Sequence, residues 1–161
     1  MGKPSRDKGA AYERRIALKL NAWSGNPGDF RRTPLSGGWD RSRAPGDLLE
    51  PDWFPWVFEC KNRESWSWPA TIAGGGEVWA WWDALVKECA EAHRDYGLLV
   101  FTANRQPDYL LVPERLACHI TAEHEGLHPL TGFPRQGAEL FLLDEWLEEI
   151  DPEWITERGR P

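Results

Sequence analysis

The chain has 161 residues, 41% of them apolar and 28% charged, with a net charge of −7. These fractions exclude a disordered chain and suit a single domain, residues 1–161, with a core of its own. No apolar run approaches the roughly 20 residues needed to cross a bilayer. The N-terminal MGKPSRDKGAAYERR lacks the apolar core of a signal peptide, so the chain reads as intracellular, in a prokaryotic cytoplasm or that of a phage host, with no membrane partner.

Residues 7–23 predict a helix, because Tyr12, Ile16, Leu20 and Trp23 make one apolar stripe. Ser5 or Asp7 is placed to cap its start. FRRT at 30–33 reads as a short strand, and 34–46, with three Gly, two Pro and no periodicity, as a loop. DLLE predicts a strand, EPDWFP a turn and WVFECK a second strand. TIAGGG at 71–76 reads as a flexible joint. From Glu77 to about Asp95, Val78, Trp82, Leu85 and Cys89 form a second helical stripe, which leaves Trp79 or Trp81 over for a dimer face. GLLVFT at 97–102 suits a buried strand, and DYLLVP at 108–113 another. A short helical piece near 113–124 is followed by a loop to about 137. ELFLLDEWLEEI then reads as strand or helix. The order predicts a mixed sheet with helices on its faces, α/β or α+β.

Charge is unevenly spread. Residues 1–63 hold 12 Lys/Arg against 8 Asp/Glu, and residues 64–161 hold 7 against 18. Such asymmetry accompanies a nucleic-acid-binding face on an otherwise acidic body. Eleven tryptophans are many for this length. Packing is the expected role of most, with a base- or sugar-stacking platform as the alternative. Cys60, Cys89 and Cys118 are too few and too scattered for a disulfide framework. Cys118, His119, His124 and His128 match no zinc spacing and are read as a surface loop.

Side chains two apart on a strand share a face. Trp56, Phe58 and Cys60 therefore share one, and Val57, Glu59 and Lys61 the other. A hairpin centred near Trp53 puts Asp47 opposite Glu59, with Cβ atoms about 5 Å apart. Asp52, in the turn, cannot face Glu59. Two carboxylates that close repel unless a cation lies between them. Two carboxylates with water suit Mg²⁺, and a lysine beside it can stabilise transition-state charge. That is chemistry for phosphodiester hydrolysis. A lone Glu-x-Lys is ordinarily a solvated strand end. Asp47 at hairpin register, Glu13 on the first helix and a basic, Gly-rich loop strengthen the set.

These segments, KGAAYERR (8–15), RRTPLSGG (31–38), PGDLL (45–49) and FECKNR (58–63), resemble in order the motifs of the PD-(D/E)xK nuclease superfamily. Within it the resemblance is to archaeal-type Holliday-junction resolvases and their phage relatives. It implies a restriction-endonuclease-like α/β core, a central mixed sheet flanked by helices. It also implies Asp47, Glu59 and the Cys60 carbonyl as metal ligands, and Glu13 completing the acidic cluster. Lys61 would be the catalytic lysine, and Ser36 would lie in a loop that approaches the junction. The cofactor would be Mg²⁺, with Mn²⁺ able to substitute, and the enzyme a homodimer acting on four-way junctions. Gly46, between the proline and Asp47, departs from the family pattern. Lys3, Arg6, Lys8, Arg14, Arg31, Arg32, Arg41, Arg43 and Arg63 are the candidate DNA contacts, of the phosphate-binding kind that carries no sequence readout. The alternatives are the same chemistry on duplex or otherwise branched DNA, and a non-catalytic Trp-rich module for nucleic acid or carbohydrate.

Overall fold

The computed structural model describes residues 3–33 and 45–158, with side chains from Asp7 onward. Helix α1 (Lys3–Ser24) is followed by the two-residue strands β1 (Arg31–Arg32) and β2 (Leu48–Leu49) and by the longer β3 (Val57–Arg63). Helices α2 (Trp68–Ile72) and α3 (Glu77–Glu91) lead to β4 (Gly97–Ala103), β5 (Tyr109–Pro113), α4 (Glu114–Glu123), β6 (Thr131–Phe133), β7 (Ala138–Leu142), α5 (Leu143–Glu149) and α6 (Pro152–Arg158). Five strands form one mixed sheet in the order β3-β4-β5-β7-β6, with β3 parallel to β4 and the other neighbours antiparallel. β1 and β2 make a separate antiparallel pair. The fold is α/β, a mixed sheet flanked by helices.

Alternation along the strands divides the core into two layers. Phe58, Cys60, Leu98, Val100, Leu110, Val112 and Phe141 face α1, α4, α5 and α6. Val57, Leu99, Phe101, Tyr109, Leu111 and Leu140 face α2 and α3. The stripe of α1 is buried as its spacing predicts, with Ile16 and Leu20 fully enclosed. Each such side chain stabilises the fold by about 1.5–3 kcal/mol. β4, buried at every position, is held close to α3 by Gly97. A Cβ there would come within 2.6 Å of Leu85 Cγ and 2.9 Å of Cys89 Sγ.

Several elements differ from the sequence reading. α1 begins at Lys3, before either proposed cap, Ser5 or Asp7. Part of the joint at 71–76 is α2, capped by Ser67. ELFLLDEWLEEI is strand then helix: β7 ends at Leu142 and α5 follows at once. β6, three residues including a glycine, is too short to show a period. Cys118 and His119 sit on α4, and His119 and His124 pack on Trp154. Trp79 is not left over for a partner, since it is buried against Phe133 with its indole N–H on the Thr71 carbonyl. Of the ten described tryptophans, Trp56, Trp79, Trp82 and Trp146 are buried, and Trp23, Trp53, Trp66, Trp68, Trp81 and Trp154 pack against the two cores. Among the described residues no helix is long and apolar enough to cross a membrane.

Candidate active site

The site is built on the outer edge of β3, whose N–H groups would otherwise be open to another strand. The segment 46–50 runs back along that edge but does not form a backbone ladder with it. The Asp47 N–H donates to the Phe58 carbonyl (2.9 Å), and the Cys60 N–H donates to Asp47 Oδ2 (3.0 Å). The Phe58 N–H donates to Glu50 Oε1 (2.9 Å). Two carboxylates thus occupy the edge that a β2 backbone would take. This is why the expected β2–β3 hairpin becomes a β1–β2 pair, Arg31 opposite Leu49 and Arg32 opposite Leu48. Asp47 still brackets position 59, bonded to residues 58 and 60. Asp52 lies in the turn and is exposed.

Gly46 makes this approach possible. Its φ of +82° is in the left-handed region, and a Cβ would fall 2.5 Å from the Phe58 carbonyl oxygen. The residue that departs from the family pattern is the one that lets the chain cross β3 closely enough for Asp47 to reach Cys60. Its N–H donates to Glu88 Oε1 on α3 (3.4 Å). Sequence reading missed Glu88, because nothing local marks it: it becomes relevant only once α3 packs beside β3.

Glu59 and Lys61 leave the strand together and are ion-paired, and Lys61 Nζ is 3.6 Å from Asp47 Oδ2. One ammonium therefore serves two carboxylates. Burial and then the Asp47 charge push the Glu59 carboxyl up to about 7, against the pull of Lys61. Burial opposes the charge on Lys61, but Glu59 and Asp47 outweigh it and raise its pKa. The Cys60 thiol, on the opposite face, is raised well above its ordinary range by burial, so it is not a nucleophile near neutrality.

Glu13 comes to β3 from the Cys60 side, on α1, and is ion-paired with Arg32. Among the described residues no three acidic, His or Cys side chains are close enough together to hold a metal ion. The structure brings together Asp47, Glu59 and Lys61 and does not gather Glu13 with them. Of the candidate DNA contacts, Arg14 and Arg31 are exposed, Lys8 donates to Asn104 Oδ1 (2.9 Å), and Arg63 lies over Trp81. Ser36, Arg41 and Arg43, and the side chains of Lys3 and Arg6, lie outside the described residues.

The family described as "Phage putative PDDEXK endonuclease" matches residues 4–157. The chain belongs to this family. Comparison with the curated proteins and with the solved structures returns no match. Membership in the phage PDDEXK endonucleases places the chain in the PD-(D/E)xK nuclease superfamily and accords with the mixed sheet and its edge strand. It does not extend to the junction-resolving branch.

The donor set fits a divalent cation. Asp47 and Glu59 offer hard carboxylate oxygens beside the Cys60 backbone, and the Lys61 ammonium stands between them as a cation would. Mg²⁺ retains several waters and needs few protein ligands, so two carboxylates and a carbonyl are enough.

Proposed function

We propose that this protein is a divalent-metal-dependent DNA endonuclease that resolves four-way junctions, working as a homodimer. The observation that supports the chemistry is Asp47 bonded across β3 at Cys60, so that its carboxylate and that of Glu59 share Lys61. Asp47, Glu59 and the Cys60 carbonyl would hold the ion, Mg²⁺ with Mn²⁺ as substitute, and Glu13 would add charge from the Cys60 side. Once bound, the ion supplies Lewis-acid polarisation of the phosphate. Lys61, drawn toward the carboxylates in its charged form, contributes positive charge to the phosphate oxygens as the bond to water forms and the bond to the leaving oxygen breaks.

The junction substrate is supported by the four motifs in order, 8–15, 31–38, 45–49 and 58–63. Each chain supplies one Asp47–Glu59–Lys61 set, and two opposed strands require two sets, hence the homodimer. Ser36 would reach the DNA backbone from the 34–44 segment. The exposed Arg14 and Arg31 would bind phosphates, with no sequence readout.

The test is Mg²⁺-dependent cleavage of a four-way junction beside splayed and linear duplex controls. Lys61→Ala and Asp47→Ala should keep junction binding and lose cleavage by on the order of 10³-fold. Full activity in either variant would overturn the site. Equal cleavage of the linear duplex would replace the junction reading with that of a duplex nuclease.

A further inference from the structure

Beyond Lys61, β3 carries a cation with no anion among the described residues. Arg63 follows Lys61 by one strand period, so its side chain leaves the same face about 7 Å further along. Lys61 is neutralised by Glu59 and Asp47, and Arg32 by Glu13. Among the described residues Arg63 has no carboxylate partner, and its Nε is buried without a hydrogen bond. What it does have is an aromatic face: its guanidinium carbon lies 5.5 Å from the centre of the Trp81 ring.

Trp81 is not part of the buried stripe of α3, which is Val78, Trp79, Trp82, Leu85 and Cys89. It lies at the margin of that core, half-buried. Seven residues further along the same helix face is Glu88, which accepts the Gly46 N–H beside Asp47. One face of α3 therefore follows β3 from Arg63 back to the carboxylates. A partly desolvated guanidinium without a counter-charge is unfavourable until an anion arrives. Its planar fork matches the paired oxygens of a phosphate. An indole against it limits the rotamers that would otherwise be lost on binding.

We propose that Arg63 clamps the DNA phosphate next to the one that is cleaved, and that Trp81 is the positioning residue that holds Arg63 ready for it. The proposal rests on the nuclease reading for the identity of the anion. It extends that reading by assigning a specific phosphate contact and a positioning residue on α3.

The experiment is a double-mutant cycle on DNA binding, measured in EDTA with a labelled four-way junction and a linear duplex over a salt series. Arg63→Ala should weaken binding about tenfold, the loss of one charge-assisted contact, and lower the salt slope by about 1. Trp81→Leu should weaken binding several-fold in the wild-type background and have no further effect beside Arg63→Ala. Trp81→Phe, which keeps a ring, should restore most of that loss. A purely structural Trp81 would give additive losses and no rescue by Phe, and either result overturns the proposal. So does an unchanged salt slope in Arg63→Ala. Because binding is read without metal, the cycle stands apart from cleavage. A wild-type protein that binds with this coupling but cuts no DNA in Mg²⁺ would sink the nuclease reading and leave only a phosphate contact by Arg63, positioned by Trp81, with no cleaved neighbour.

Discussion

At the scale of single residues, the site depends on a close approach that only glycine allows. Gly46 has both a positive φ and no room for a Cβ against the Phe58 carbonyl. Gly46→Ala must therefore push the 46–50 segment off β3. The Asp47–Cys60 bond lengthens, and the Asp47 carboxylate leaves Lys61. Strained backbone of this kind costs on the order of 1–3 kcal/mol, which a domain of this size can survive. The expected outcome is a folded protein, by circular dichroism, whose cleavage falls by at least tenfold. Normal cleavage by Gly46→Ala would show that Asp47 does not need its bond to Cys60. Glu59 and Lys61 were legible in the sequence because period 2 fixes their common side; Asp47 was placed beside position 59 by a hairpin that does not form, and it arrives there through bonds to residues 58 and 60 instead. Glu88 and Trp81 were not legible, since each acts through a contact between α3 and β3 that no local pattern encodes.

At the scale of elements, α1 is fastened to the sheet by a buried carboxylate as well as by its apolar stripe. Asp108, just before β5, is 5% exposed. It accepts two hydrogen bonds from Arg15 (2.9 and 2.6 Å), one from Lys19 (3.0 Å) and one from the Tyr12 hydroxyl (3.1 Å). Burial works to raise its pKa, but the hydrogen bonds from Arg15 and Lys19 prevail and lower it. Burial, and then the Asp108 charge, drive the Tyr12 phenol well above its ordinary range, so it stays a donor. Asp108→Ala leaves the buried Tyr12 hydroxyl without its acceptor, while Arg15 and Lys19 keep access to water, and should destabilise the fold by about 1–3 kcal/mol, read as a lower denaturant midpoint. Cleavage at a temperature where the variant is folded should fall less than in Asp47→Ala, because Asp108 touches neither Glu59 nor Lys61. The helical stripes of this fold could be read from their period, and the buried strands β4 and β5 from their continuous apolar runs. Of the short pieces, β1 and β2 lie within the strands read at FRRT and DLLE, though each is only two residues and their pairing was not foreseen, while β6, three residues, was missed.

At the scale of the whole molecule, buried carboxylates on either side of the fold give its stability a pH dependence of definite sign. Glu50, whose side chain is 7% exposed, accepts the Phe58 N–H, and Arg94 is its cation at 3.8 Å. Burial pushes its carboxyl up to about 7, more strongly than that hydrogen bond and Arg94 lower it. The folded chain therefore keeps a proton on Glu50 that the unfolded chain releases near its ordinary value of 4.5. Stability from this group is fully present below that value and is lost as pH rises toward about 7. The loss is on the order of 3 kcal/mol. Asp108, with its lowered pKa, acts in the opposite direction, and its contribution is lost only in acid, below its ordinary 3.8. The chain should be most stable in mild acid and weaken between pH 5 and pH 8. Glu50→Gln keeps an oxygen for the Phe58 N–H but cannot ionise. Urea unfolding of this variant should match the wild type near pH 5 and exceed it at pH 8, with a flatter profile between. An unchanged slope in Glu50→Gln would mean that Glu50 ionises in the folded chain as it does in water, and that its burial against β3 is not what the structure indicates.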